Sequence, residues 1–275
     1  MEKQSSNLAT QLIEGLCSFL RKCICAILSA GSLPRHVAFI MDGNRRYAKK
    51  EGLLEGHGHR VGFTALMNML KYCYEMNVKY VTVYAFSIEN FKRRPEEVQS
   101  TMQLIQEKIE SLLEKESIVN QYGVRVHFIG NLKLLSKPVR LAAERAMNAT
   151  AHNSTATLAI CIAYTSTDEI TNSVEEACKV KMDELGGNET DSKEPHIDVA
   201  DVEKHMYMAV APDPDIIIRS SGETRLSNFL LWQSASSLLY SPRALWPEIG
   251  FYHLVRAILD FQRNVTSLET KLKQS

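Results

Sequence analysis

Three short segments of this sequence combine residue types that are suited to phosphate chemistry. They carry six arginines: Arg45, Arg46, Arg93, Arg94, Arg219 and Arg225. A guanidinium group forms two-point hydrogen bonds with phosphate oxygens. The first segment also contains Asp42, followed by Gly43, and a single carboxylate among cations suits Mg²⁺ when substrate phosphate and water supply the other ligands. The three segments therefore predict a site for a diphosphate and Mg²⁺.

Simpler explanations exist for each of these residues alone. Asp42 can cap a helix or form a turn. A single arginine is most often a solvated cation in a surface ion pair. His57 and His59 are close together in the sequence, but no further metal ligands stand near them, so His59 is interpreted as a phosphate donor and His57 as a loop residue. The coincidence of three arginine-bearing segments is what favours the anion site.

The elements around these segments predict that they meet. Short runs rich in Val, Ile and aromatic residues predict buried strands over 36–41, 80–86, 124–129, 157–163 and 216–219. Helical spacing predicts helices over 58–76, 95–121, 138–152, 166–178 and 251–265, and residues 179–195 are predicted to be an exposed loop. This alternation predicts an α/β fold with a mostly parallel central sheet flanked by helices. Ligands bind beyond the carboxyl ends of such strands, where all three segments begin.

Composition excludes several classes of function. The chain has 275 residues, and its 32 Lys and Arg balance its 32 Asp and Glu, so its overall charge gives no case for nucleic acid as a partner. The six cysteines form no CxxC pair, which argues against a zinc or dithiol site. Gly56, Gly58 and Gly62 are one residue away from the dinucleotide-binding spacing and follow no predicted strand, so a nucleotide-binding α/β enzyme is the weaker alternative.

Residues 1–33 predict an amphipathic helix ahead of the main domain, which spans 34–275. The apolar side of the helix consists of Leu8, Leu12, Leu16, Leu20, Cys23, Ile24 and Ile27. Arg21 and Lys22 interrupt the apolar stretch, which is too short for a membrane-spanning helix. Two roles remain open: packing on this domain or a partner, or lying in a membrane interface with Arg21 and Lys22 near anionic headgroups.

Apolar residues at helical spacing follow the first two segments. They are Phe63, Leu66, Met67, Leu70, Tyr74, Val98, Met102, Ile105, Ile109, Leu112 and Leu113. Such faces are ordinarily part of the core, but some of these residues can instead line an apolar channel behind the arginines. A diphosphate site with apolar walls behind it suits a prenyl diphosphate.

Three longer motifs resemble one enzyme family. Residues 36–50, 84–91 and 212–233 closely resemble cis-prenyltransferases, the undecaprenyl diphosphate synthase family, in an ordered match over about 34–263. The eukaryotic dehydrodolichyl diphosphate synthase branch, which includes plant rubber-type enzymes, is the most similar. The resemblance implies a hydrophobic product tunnel and Mg²⁺-dependent addition of isopentenyl diphosphate to an allylic starter such as farnesyl diphosphate. The implied product is a long cis-polyprenyl diphosphate for dolichol; a rubber-type or medium-chain synthase and a non-catalytic scaffold subunit are the alternatives.

The resemblance also implies roles for individual residues. Asp42 would organise Mg²⁺ and the allylic diphosphate, and Asn90 would assist proton loss through water or phosphate. The loop that would wrap the allylic diphosphate consists of Gly43, Asn44, Arg45 and Arg46, and His59 would lie nearby. Those beside the reacting carbons would be Ser87, Asn90 and Phe91, and Tyr47, Ile88 and Glu89 would also bind substrate. Those holding isopentenyl diphosphate would be Arg93, Arg219, Arg225 and Ser227.

Departures from the family pattern imply a partner. Glu55 and Leu238 stand where bacterial members have an arginine and a metal-binding glutamate, and Tyr47 and Phe91 replace tryptophans. The sequence also ends without the Arg-x-Gly that completes the isopentenyl diphosphate site in other members. The resemblance therefore implies a heteromer with an accessory subunit like the Nogo-B receptor in a dimer-type assembly. It further implies a peripheral location on the cytosolic face of the endoplasmic reticulum membrane.

Overall fold

A six-stranded parallel sheet forms the centre of the protein, whose computed structural model describes residues 2–54, 56–114, 116–185 and 196–272. The strands are β1 (His36–Ile40), β2 (Tyr80–Ser87), β3 (Val124–Ile129), β4 (Ala156–Tyr164), β5 (Ile216–Arg219) and β6 (Leu238–Tyr240). Their order is β3-β4-β2-β1-β5-β6, and each neighbouring pair is parallel. The predicted α/β class and the five predicted strands are confirmed, and β6 is an additional edge strand.

Nine helices of the described residues surround the sheet. They are α1 (Glu2–Leu28), α2 (Asn44–Lys50), α3 (His57–Glu75), α4 (Pro95–Ser111), α5 (Ile118–Tyr122), α6 (Lys137–Ala149), α7 (Ser166–Leu185), α8 (Val199–Lys204) and α9 (Phe251–Leu272). The short helices α2 and α8 were not predicted. The predicted loop over 179–195 is wrong for residues 179–185, which continue α7, and residues 186–195 lie outside the described part of the chain.

The single helix predicted over 95–121 is two helices. After α4 ends, the Ser117 hydroxyl oxygen accepts a hydrogen bond from the backbone N–H of Asn120 at 3.3 Å and so caps the start of α5. Buried apolar residues continue at helical spacing across the break, as at Leu112 and Val119. Periodicity alone therefore joined two helices that a local capping bond separates.

Strand β1 lies in the middle of the core. All five of its residues are buried, because helices or loops cover both faces of the sheet. Val37 and Phe39 belong to the larger apolar cluster, on the face covered by α3, α4 and α9, while Ala38 and Ile40 belong to a smaller cluster on the other face. With β2 on one side and β5 on the other, β1 brings the three arginine-bearing segments to adjacent strand ends.

Helix α1 confirms the amphipathic helix and shows which side faces the domain. Leu28 is buried and its carbonyl oxygen accepts a hydrogen bond from the Gln262 side chain at 2.8 Å. Arg21 forms an ion pair with Glu75 at 2.9 Å and lies over the Tyr72 ring, so it faces the domain rather than headgroups. The side chains of Leu8 and Leu12 lie outside the described residues.

The apolar stripe of α1 faces away from the domain. Leu16, Leu20, Ile24 and Ile27 expose 58%, 51%, 37% and 73% of their surface. Within the described ranges, no helix is both long and apolar enough to cross a membrane.

Candidate active site

The predicted site lies where β2, β1 and β5 end side by side. Ile40 of β1 stands opposite Tyr84 of β2 and Arg219 of β5, so the segments that follow start at the same edge of the sheet. A cavity of about 600 Å³ opens there. The predicted site residues that line it are Asp42, Asn44, His59, Ser87, Glu89, Asn90, Arg93, Arg219 and Ser227.

The backbone of Asp42 is fixed from two sides. The Ser220 hydroxyl accepts a hydrogen bond from the Asp42 N–H at 2.9 Å and donates to the Asp42 carbonyl oxygen at 2.6 Å. The same carbonyl accepts the Trp246 backbone N–H at 2.9 Å. Gly43 follows with φ 107°, a left-handed conformation that favours glycine and turns the chain into α2. These contacts fix the backbone that carries the Asp42 side chain.

Two arginines share the Asp42 carboxylate. Arg219 donates to Oδ2 at 2.9 Å and Arg46 donates to Oδ1 at 3.3 Å. Burial would raise the pKa of the Asp42 carboxyl, but hydrogen bonds and charges from Arg219 and Arg46 outweigh burial and hold the pKa below its ordinary value. Asp42 is therefore ionised at neutral pH, as a cation ligand must be.

Arg219 is buried and held by the loop that follows β5. Its Nη1 donates to the Ser227 hydroxyl at 2.7 Å and to the carbonyl oxygen of Arg225, while Nε has no hydrogen-bond partner among the described residues. The loop holds Ser221, Ser227, Asn228 and Leu230 at positive φ, a strained conformation for residues other than glycine. The guanidinium of Arg225 points elsewhere and pairs with Glu223.

The start of α7 holds this strained loop in place. Ser166 donates its backbone N–H to the Asn228 carbonyl at 2.8 Å, and its hydroxyl accepts the Leu231 N–H at 2.9 Å.

The buried Glu169 carboxylate accepts bonds from the Tyr164 hydroxyl, the Gln233 side chain and the Met208 N–H. Burial raises the pKa of Glu169, although these hydrogen bonds oppose the shift.

The segment after β2 is ordered by its own side chains. The Asn90 side-chain oxygen accepts the Ser87 N–H at 3.1 Å, and the Ser87 hydroxyl accepts the Glu89 N–H at 3.2 Å. The Asn90 NH₂ makes no hydrogen bond among the described residues, so it can donate to a ligand, and an amide acts as a donor rather than as a base. Phe91 packs edge-to-face on Phe86, with ring centroids 4.9 Å apart.

Seven predicted site residues do not line the main cavity: Gly43, Arg45, Arg46, Tyr47, Ile88, Phe91 and Arg225. Ile88 and Phe91 pack against the large apolar cluster instead. Arg45 lies beside the cavity and reaches Glu97 at 3.5 Å, and Arg93 reaches the same carboxylate at 3.0 Å.

The pKa of His59 is lowered mainly by burial and further by the charges of Arg93 and Arg45. His59 is therefore neutral at neutral pH.

Gly58 and Gly62 allow α3 to pack closely against Asn44. A Cβ added at Gly58 would lie 2.1 Å from the Asn44 carbonyl oxygen, and one at Gly62 would lie 2.1 Å from Asn44 Oδ1. The Gly62 carbonyl also accepts the Trp246 indole N–H at 2.8 Å. Close packing therefore explains Gly58 and Gly62, whereas Gly56 has open space and adopts φ 93°, a left-handed conformation that favours glycine.

Beyond the polar mouth, the cavity walls are almost entirely apolar. They consist of residues from α3, α4 and the strands: Phe63, Leu66, Leu104, Ile105, Ile109, Leu112, Phe128, Ile160 and Ile162. Lys108 is the cation among them, with its ammonium 4.7 Å from the centre of the Phe63 ring. Leu70, Tyr74 and Met102, which were predicted on the same helix faces, are buried in the core.

Comparison with known proteins identifies the family. The sequence profile of the undecaprenyl diphosphate synthase family matches residues 40–268, most of the chain. The chain belongs to the undecaprenyl diphosphate synthase family. A dehydrodolichyl diphosphate synthase of Solanum lycopersicum is 61% identical over 290 residues, covering 100% of both chains. The rubber cis-polyprenyltransferase of Hevea brasiliensis is 51% identical and covers 91% of this chain and 92% of its own.

A solved structure of a prenyl diphosphate synthase has the same fold. Lavandulyl diphosphate synthase from Lavandula x intermedia, in complex with dimethylallyl diphosphate, matches with a TM-score of 0.74 and 27% identity. The match covers 84% of this chain and 95% of that one. The family resemblance of the three motifs is therefore confirmed.

This member of the undecaprenyl diphosphate synthase family offers few carboxylates for a metal. The described residues contain no group of three or more His, Cys, Asp or Glu side chains that could hold an ion. Leu238 lies in β6 and packs against the apolar core, and Glu55 lies outside the described residues. Asp42, ionised and at the cavity mouth, fits Mg²⁺ only if a diphosphate and water complete the coordination sphere.

Sequence reasoning missed Ser220, Trp246 and Glu97. Ser220 directly follows Arg219, so its position gave a signal that it stands at the strand end. Trp246 and Glu97 gave none, because each meets its partner through long-range packing.

Proposed function

We propose that this protein adds isopentenyl diphosphate repeatedly, in cis, to an allylic diphosphate such as farnesyl diphosphate. The observation that carries the proposal is a single cavity with Asp42, Arg93 and Arg219 at its mouth and apolar walls behind them. The names of the relatives support a long cis-polyprenyl diphosphate of the dehydrodolichyl type as the product. A rubber-type product is the second candidate, favoured by the Hevea relative.

The proposed chemistry requires stabilised negative charge at the leaving group. The allylic carbon–oxygen bond breaks, the diphosphate departs, and the double bond of isopentenyl diphosphate attacks the carbon left with positive charge. A new carbon–carbon bond forms and one proton is lost. Preorganised cations beside the departing diphosphate stabilise this transition state more than the ground state.

The proposed roles divide the residues between two diphosphates. Asn44, Arg45, Arg46 and His59 hold the allylic diphosphate, and its loop turns at Gly43. Arg93, Arg219 and Ser227 hold isopentenyl diphosphate, with Arg225 contributing its carbonyl to the position of Arg219. Ser87 and Asn90 face the reacting carbons, and the Asn90 NH₂ donates to a phosphate oxygen that takes up the proton.

Magnesium would be held by Asp42 together with substrate phosphate oxygens. When bound, the ion supplies positive charge that stabilises the leaving diphosphate. Arg219 and Arg46 pair with the Asp42 carboxylate. If that carboxylate bound Mg²⁺ instead, both guanidinium groups would be free to bind diphosphate oxygens.

The apolar cavity is proposed to take the prenyl tail. About 600 Å³ is a typical size for a pocket that encloses a drug-sized ligand. A starter of farnesyl size fits this description, whereas a tail extended many times outgrows it. The growing tail must therefore leave the cavity during synthesis.

A partner subunit and a membrane are proposed to complete the enzyme. Mouse and human relatives, the human one 42% identical over 93% of this chain, are named as subunits of a dehydrodolichyl diphosphate synthase complex. An accessory subunit like the Nogo-B receptor is the proposed partner. The exposed apolar stripe of α1 is proposed to lie on the cytosolic face of the endoplasmic reticulum membrane.

Incorporation of labelled isopentenyl diphosphate tests the function. Full chain is incubated with farnesyl diphosphate and Mg²⁺, with and without the accessory subunit, and products are separated by chain length. We expect long polyprenyl products in the presence of the subunit. No elongation in either condition would support a scaffold instead, and a thermal shift with nucleotides but not with prenyl diphosphates would support a nucleotide-binding enzyme.

A further inference from the structure

Glu97 bridges the arginines of two different strand-end segments. One oxygen, Oε1, accepts Nη1 of Arg93 at 3.0 Å and Nη1 of Arg45 at 3.5 Å. Arg45 follows β1 and Arg93 follows β2, so this carboxylate links the proposed allylic half of the site to the isopentenyl half.

The carboxylate is better shielded from water than the arginines it binds. Its side chain is 17% exposed, compared with 29% for Arg93 and 62% for Arg45. The first turn of α4 fixes its backbone, and the Glu97 carbonyl oxygen accepts the Thr101 hydroxyl at 2.8 Å. Glu97 is therefore the fixed member of the cluster, and the long arginine side chains are the members it orders.

The contacts leave the arginines able to bind phosphate. A guanidinium has five N–H donors, and Glu97 uses Nη1 alone on each. The other donors remain for diphosphate oxygens, so Glu97 need not be displaced when substrate binds. Without it, each substrate must also order a flexible arginine, which weakens binding.

We propose that Glu97 is a positioning residue that holds Arg45 and Arg93 ready for the two diphosphates. The inference rests on the proposed function for the identity of the substrates, but its geometry requires only a diphosphate. It predicts that loss of the Glu97 carboxylate weakens diphosphate binding, although the change removes a negative charge from an anion site. If Glu97 acted only by repelling the diphosphate, loss of its carboxylate would strengthen diphosphate binding instead.

Glu96 provides a matched control. It lies next to Glu97 in the first turn of α4, so both carboxylates interact favourably with the same helix end. It is exposed, and no ion pair joins it to Arg45 or Arg93 in the part of the chain that the structure describes. A role of Glu97 limited to stabilising α4 would therefore appear in both variants.

The test is binding of inorganic pyrophosphate to the full chain with Mg²⁺, measured by titration calorimetry. We expect Glu97→Gln to weaken binding about five- to tenfold, the lower end of the range for ordering two side chains, and Glu96→Gln to leave it within twofold. Glu97→Asp keeps the charge but shortens the reach, so it should also weaken binding. In steady-state assays, KM for both substrates should rise more than kcat falls.

Unchanged or tighter pyrophosphate binding by Glu97→Gln would overturn the proposal, as would equal losses in Glu96→Gln. If Glu97→Gln unfolds, pyrophosphate binding by Glu97→Asp decides between the two roles. A purely electrostatic role predicts unchanged binding for Glu97→Asp, because the charge is kept, whereas a positioning role predicts weaker binding. Pyrophosphate binding needs no turnover, so the test of Glu97 stands even if the chain fails to elongate prenyl diphosphates. Conversely, an active chain with unaffected Glu97 variants would refute this inference and leave the proposed function intact.

Discussion

Asp42→Ala should cost stability as well as activity. The sequence alone predicts a variant that is inactive with its fold intact. In the structure, however, Asp42 is the ion-pair partner of Arg219, whose side chain is only 8% exposed. Removing the carboxylate leaves a buried guanidinium without its counter-charge.

The size of the loss follows from the burial of the pair. Breaking a buried pair costs about 3–5 kcal/mol and an exposed one about 0–1 kcal/mol. Asp42 is 28% exposed, and Arg219 keeps its bonds to Ser227 and to the Arg225 carbonyl. We therefore expect a loss of about 2 kcal/mol in the free energy of unfolding. For a domain of this size, that corresponds to a Tm lower by about 4–8 °C.

Thermal unfolding without ligands measures this loss, and a double-mutant cycle assigns it. Glu223→Ala is the control, because it removes a carboxylate from an exposed pair at the same edge of the sheet and should lower Tm by about 0–4 °C. Asp42→Ala combined with Arg219→Met should cost less than the sum of the single changes. Equal Tm values for Asp42→Ala and Glu223→Ala, or additive costs in the cycle, would refute the reasoning.

Three further predictions follow from packing, titration and exposure. Gly62→Ala should lower Tm by several degrees and abolish elongation, because its Cβ would lie 2.1 Å from Asn44 Oδ1. Gly15→Ala is the control, because Gly15 is also helical but has open space around it, so its Tm and activity should not fall. Circular dichroism and the incorporation assay measure both variants. Burial lowers the pKa of His36 from its ordinary 6.5 to about 4. Between about pH 4 and 6.5 the unfolded chain therefore binds more protons than the folded chain. The free energy of unfolding should fall by about 2 kcal/mol from pH 7.5 to 5. Denaturant unfolding should show this fall in the unmodified chain and less of it in His36→Gln. Leu20→Glu on the exposed side of α1 should reduce sedimentation with anionic vesicles at unchanged Tm, whereas equal sedimentation would exclude α1 as the membrane contact.

The positions of the strands were largely predictable, because the apolar runs that mark them are local features of the sequence. A run such as Ile216–Arg219 is apolar throughout, as a strand covered on both faces must be. Strand β6 was missed because its three residues are half-exposed at the sheet edge and show no buried run. The break between α4 and α5 was missed because Ser117 acts through one capping bond that leaves the apolar spacing unchanged.

The candidate site was predictable in its location and only partly in its contacts. Parallel strands end at one edge, so the segments after β1, β2 and β5 had to share a rim once the sheet was parallel. Phe91 was assigned to the reacting carbons from its motif, yet its ring packs on Phe86 because the short helical turn after β2 directs it to the core. That Arg225 holds isopentenyl diphosphate stays a prediction, and in the structure its guanidinium pairs with Glu223.

The sequence by itself determined the α/β class, the family and the three loops that carry charge to one edge of the sheet. These depend on residue type and short-range spacing. Only the tertiary structure decided which charges meet: Asp42 with Arg219 across 177 positions, and Arg45 with Glu97 across 52. It also decided that the apolar side of α1 faces outward. Such pairings depend on the angles and distances at which whole elements pack, and local spacing carries no record of them.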